Sequence, residues 1–124
     1  MKLSEQDFDK AVRRAVNRIP KEIREQMENV AVTVRKRPSK EMLDELEATP
    51  DDPPLAFYQG TPLPERSAFL PPLYPDVIFI FQEPLEEMCE TLAELEEEIE
   101  ISVVHEVAHF LGMDEEQLEE LGYG

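Results

Sequence analysis

The chain is poor in several residue types, and each shortage excludes something. It has one cysteine, Cys89, in 124 residues. A disulfide framework within the chain is therefore excluded, and a reducing compartment, the cytoplasm, is the expected setting. The opening MKLSEQDFDK is polar and charged, unlike a secretory signal. No apolar run approaches the roughly 18 residues of a membrane span. Basic residues are scarce: 12 Lys and Arg face 29 Asp and Glu, a net charge of −17. Nucleic acid and anionic membrane each demand a basic footprint, so neither is an expected partner. The length allows one domain, residues 1–124, and leaves no room for a second.

The acidity is concentrated. Residues 1–82 carry 14 acidic and 12 basic side chains, while residues 83–124 carry 15 acidic and none that are basic. Such a run ordinarily forms a solvated helix face. A one-signed surface can also steer a basic substrate or partner.

Local patterning alternates helix and strand. Ser4 and Asp7 resemble a capping box ahead of Phe8, Ala11, Val12, Ala15, Val16 and Ile19, spaced as one apolar helix face. Pro20 is suited to be the first residue of a second short helix, with Ile23 and Met27 inward. Val30, Val32 and Val34 alternate as a half-buried strand, and residues 39–47 suit a short helix. Eight of the eleven prolines fall between Pro50 and Pro75, which forbids long helices and central strands there. The large apolar groups Leu55, Phe57, Tyr58, Phe69, Leu70, Leu73 and Tyr74 point to a structured loop with one short strand rather than a linker. Asp76 to Gln82 is the strongest strand signal. Leu85, Met88, Leu92, Leu95, Ile99 and Val103 then recur at helical spacing, and the pattern continues to Gly112 as one long helix. Gly112 suits its left-handed C-terminal position, and Asp114 suits the cap of a last helix carrying Leu118 and Leu121, stopped by Gly122.

The chemistry lies on the long helix. Its two histidines, His105 and His109, are the only two of the chain, and they stand four residues apart on one helical face. Two imidazoles so placed can grip one Zn²⁺. Glu106, about 100° round the helix, flanks such an ion instead of coordinating it. The string His105-Glu106-Val107-Ala108-His109 is the HExxH metallopeptidase signature. In that arrangement zinc polarises a carbonyl and makes water acidic. Glu106 takes the proton of the attacking water and passes it to the leaving amine. Val103, Val104, Val107, Ala108, Phe110 and Leu111 surround the motif, which places it on a central helix.

A catalytic zinc needs three protein ligands. With no third histidine, the third is a carboxylate, Cys89, or absent. Glu115, three residues past Gly112, is first in order, because the glycine turn can redirect the chain toward the metal. Asp114 is second, with helix capping as its competing role, and Glu119 third. Cys89, some four turns upstream, suits packing better. Tyr58, Arg66 and Tyr123 are secondary candidates for an oxyanion donor.

These residues together resemble the small bacterial zincin-like metallopeptidase family. The resemblance runs from the N-terminal helix ending in Ile19-Pro20, through the valine strand Val30–Val34 and the run Phe57-Tyr58-Gln59-Gly60-Thr61-Pro62-Leu63-Pro64-Glu65-Arg66. It continues through the strand Asp76–Phe81 and His105 to Glu115, and closes with Leu118-Glu119-Glu120-Leu121-Gly122-Tyr123. Glu115 stands where members commonly carry Asp. The resemblance implies an α+β minimal zincin core: a small mixed β-sheet packed against the HExxH helix and the N-terminal amphipathic helix. It also implies an edge strand that pairs with an extended peptide or protein substrate, with Asp76–Phe81 the element nearest that role. The expected activity is zinc-dependent peptide hydrolysis with His105, His109 and Glu115 on Zn²⁺ and Glu106 as general base. A non-catalytic acidic interaction module with a structural or vestigial zinc is the alternative.

Overall fold

The computed structural model describes residues 1–60 and 76–123. The candidate Arg66, the apolar groups Phe69, Leu70, Leu73 and Tyr74, and the prolines from Pro62 to Pro75 lie outside the described residues. The elements are α1 (Glu5–Asn17), α2 (Lys21–Arg24) with a 3-10 turn at Glu25–Met27, β1 (Val30–Arg35), α3 (Lys40–Glu45), β2 (Ala56–Gln59), β3 (Asp76–Phe81), α4 (Gln82–Met88), α5 (Leu92–Leu111) and α6 (Glu115–Glu120). The architecture is α+β, with one mixed three-stranded sheet in the order β1-β3-β2.

Helix α1 starts where the Ser4 hydroxyl accepts the Asp7 amide, satisfying a donor that the first turn leaves open. Its face Phe8, Ala11, Val12 and Ala15 is buried, and Ile19 completes it just past the helix. Pro20 acts as the N-cap of α2, one position earlier than the first helical residue expected of it. The partner of α1 is α5, whose Leu95, Ile99, Val103 and Val107 are almost fully enclosed. Burying one such side chain contributes about 1.5–3 kcal/mol, so this pairing is a principal source of stability. Two ion pairs cross it: Arg14 Nε to Glu96 Oε1 at 2.7 Å and Arg18 Nε to Glu100 Oε1 at 3.6 Å.

In the sheet, β3 lies between a parallel β1, with Val32 opposite Ile78, and an antiparallel β2, with Tyr58 opposite Ile78. Ile78 and Ile80 join the helical core. Flanked on both sides, β3 cannot be the edge that receives a peptide; that expectation moves to another strand. Among the described residues β2 is an edge, and it packs against α5.

The long helix expected from residue 85 to Gly112 is two helices. Cys89 is extended (φ −109°, ψ 144°), and α5 begins afresh at Leu92. The new start is fixed by an N-cap: Thr91 Oγ1 accepts from the Glu94 amide, and Glu94 Oε2 accepts from the amide of Glu90, the residue ahead of the cap. The break shifts the helical phase, so Met88 and Leu92 are exposed rather than inward. At the other end Gly112 takes φ +75°, as its position demanded. Asp114 and Gln117 form a capping box that starts α6, and Leu118 anchors that helix in the core.

The acidic segment is partly neutralised inside the fold. Besides the two α1 pairs, Arg37 engages Glu83 at 3.1 Å and also Glu87. Glu86 accepts from the Leu3 amide at 2.7 Å and from the Gln82 side chain. Among the described residues, no helix is long and apolar enough to cross a membrane.

Candidate active site

The motif helix is buried on one side by Val103, Val104, Val107 and Ala108, which turns the polar side outward. His105 and Glu106 are half-buried and His109 is exposed. The two imidazoles sit one turn apart, with ring centres 6.4 Å from each other and planes at 76°.

Glu106 is held from the sheet. The Tyr58 backbone amide donates to Glu106 Oε2 at 3.0 Å. Tyr58 therefore gives its N–H to the helix and not to β3. Burial raises the Glu106 pKa above the ordinary carboxylate value, and the Tyr58 hydrogen bond and the two histidines work against that rise. The group is thus a carboxylate made more basic by desolvation yet fixed in direction, the character a proton acceptor needs.

The Tyr58 ring stacks on Phe110, with centroids 4.1 Å apart at 20°, and its hydroxyl donates to Asp76 Oδ2 at 2.6 Å. One residue thereby ties β2 to α5 and to β3. Gly60 follows closely, because a Cβ there would lie 2.6 Å from the Asp76 carboxyl carbon.

A match to the family model of zincin-like metallopeptidases covers residues 27–124. The chain belongs to the zincin-like metallopeptidases. The match begins at Met27, so α1, which the sequence resemblance included, lies ahead of the matched span. A comparison with curated proteins found no match.

For a zincin-like metallopeptidase the implied metal is zinc, and the donor chemistry fits: two imidazoles on one helical face with a carboxylate between them. The remaining sequence candidates are placed as follows. Glu115 is the first residue of α6 and is exposed. Asp114 is committed to its cap, accepting from the Gln117 amide at 2.8 Å. Glu119 is exposed on α6, and Cys89 is buried in the core, far along the chain from the motif. Among the described residues, no three His, Cys, Asp or Glu side chains are assembled as a metal-binding group. Arg66 lies outside the described residues.

Two site contacts have no signature in the sequence, because both are made by backbone atoms. One is the Tyr58 amide on Glu106. The other is the Tyr123 carbonyl, 2.9 Å from His105 Nε2. A carbonyl only accepts, so His105 Nε2 carries the hydrogen in this contact.

Proposed function

We propose that this zincin-like metallopeptidase hydrolyses peptide bonds with zinc on His105 and His109 and Glu106 as general base. The observation that carries this reading is the Tyr58–Glu106 hydrogen bond, which aims a desolvated carboxylate from the helix that presents both histidines. Zinc, when bound, polarises the scissile carbonyl and acidifies water. Glu106 removes a proton from that water and returns it to the departing amine, while the Tyr58 amide keeps its carboxylate from rotating away.

Glu115 is the proposed third ligand. It lies three residues beyond Gly112, whose φ of +75° reverses the chain between α5 and α6. The substrate proposed is an extended peptide, and the strand bordering the site is the edge strand β2. The exposed Glu115, Glu116, Glu119 and Glu120 of α6 make a basic peptide the favoured class.

The test is zinc analysis combined with a screen of unstructured peptides. Near one zinc per chain, lost in His109→Ala, and cleavage abolished by a chelator support the enzyme. One observation favours the alternative, an acidic interaction module: no third donor joins the two histidines among the described residues. Salt-sensitive binding of basic peptides that are recovered intact would select it.

A further inference from the structure

The atom best placed to receive a metal is already in use. In an i, i+4 pair the imidazole Nε2 atoms reach furthest from the helix, and His105 Nε2 is bonded to the Tyr123 carbonyl at 2.9 Å. Two imidazoles on one tetrahedral ion at about 2.0–2.1 Å have ring centres roughly 5 Å apart. Here they are 6.4 Å apart. The His105 Nε2 is therefore directed at residue 123, and the two rings stand wider apart than a shared ion allows.

The segment that holds it is built to stay. Leu118 is 1% exposed and roots α6 in the core. Gly122 takes φ +91°, and the chain reverses there: the Gly122 amide donates to Glu119 at 3.0 Å and the Tyr123 amide to Leu118 at 2.8 Å. The Tyr123 ring packs against the core. Its hydroxyl lies beside the Glu100 carboxylate, five residues before His105 on α5. Residue 123 thus spans the stretch of α5 from Glu100 to His105, with its side chain at one end and its carbonyl at the other.

We propose that the turn Leu121–Tyr123 is a latch on the metal site: the Tyr123 carbonyl holds His105 Nε2, and metal loading requires the turn to let go. The inference rests on the zinc reading of His105 and His109. Release lets the hydrogen of His105 move to Nδ1 and leaves the Nε2 lone pair for the ion. A site closed for part of the time binds with an affinity reduced by the closed fraction. One hydrogen bond of ordinary net strength corresponds to about a 3- to 10-fold reduction. The opposite arrangement is also chemically defined. A histidine that binds metal through Nδ1 keeps its Nε2 hydrogen on a carbonyl, and the contact then supports the metal.

The experiment is a calorimetric zinc titration of the metal-stripped full chain, with Tyr123→Ala and Gly122→Ala alongside. The first variant removes the side-chain anchor and the second strains the turn, and both keep the two histidines. Circular dichroism confirms that each is folded. Amide hydrogen exchange at residues 122 and 123 is followed with and without zinc. A latch gives about 3- to 10-fold tighter zinc binding in both variants and faster exchange at both amides in the wild type on adding zinc. Equal or weaker binding in the variants, with exchange at 122 and 123 unchanged or slowed by zinc, overturns it. Zinc binding to none of the three proteins overturns the metal reading itself, and with it the latch.

Discussion

The amide of Tyr58 and the carboxylate of Glu106 meet across 48 residues of chain in a single 3.0 Å hydrogen bond. A strand of the sheet thereby sets the direction of the one carboxylate in the motif. Glu106→Gln keeps an acceptor oxygen for that amide but cannot take a proton. The variant is expected to fold and to retain zinc, while hydrolysis falls about 10²- to 10⁴-fold. Zinc stoichiometry measured beside peptide turnover checks both halves. Loss of zinc in this variant would contradict the role assigned to Glu106.

Tyr58→Phe isolates the other end of the same residue. The ring can still stack on Phe110, but the 2.6 Å bond to Asp76 is lost. Asp76 is 7% exposed, so water cannot readily replace the hydroxyl. A loss of about 1–3 kcal/mol in urea unfolding is expected.

Gly112→Ala tests a backbone effect free of packing. Gly112 takes φ +75°, and an added Cβ would meet nothing within 4 Å. The cost is then the left-handed conformation alone, about 1–2 kcal/mol, with Gly112→Asn recovering part of it. Urea midpoints of the three proteins give the comparison.

Cys89 gives a pH dependence. Burial, and after it the charges of Glu98 and Glu94, push the thiol pKa up. A raised thiol pKa means that the folded protein favours the protonated form. Its contribution is complete below the unfolded thiol value, near 8.5, and is lost as pH rises through the higher folded value. Cys89→Ala removes this loss while giving up some packing. The stability gap between wild type and variant should therefore be largest at neutral pH and should narrow by pH 10. Alkylation of the native thiol at pH 8 should be slow, and fast in urea.

The sequence was legible where one physical rule acts locally. Ser4, Asp114, Gly112 and Gly122 take the caps and turns that their chemistry favours, and α1 buries the face its spacing defined. The apolar repeat from Leu85 onward was misleading as a sign of one helix. Thr91 is itself a readable N-cap, and it outweighed a periodicity that continues across the break. The acidic run is for the most part an exposed face, as its composition suggested, but the sequence did not show that Arg14, Arg18 and Arg37 reach back to four of its carboxylates on α4 and α5. Sheet order was not legible, since the hydrophobicity of β3 marks it as buried without saying which strands flank it. In the site, HExxH named the side chains. The Tyr58 amide and the Tyr123 carbonyl belong to backbone that any residue could provide, so only the fold reveals them.

The pairing of α1 with α5 joins residues as far apart as Arg14 and Glu96, 82 positions along the chain. During synthesis at about 5–20 residues per second, the first helix waits roughly 4 to 16 s for its partner to emerge. Throughout that interval Phe8, Val12 and Ile19 have no permanent cover. The apolar face of the first helix is therefore completed by a segment made late, even though each helix begins from local signals.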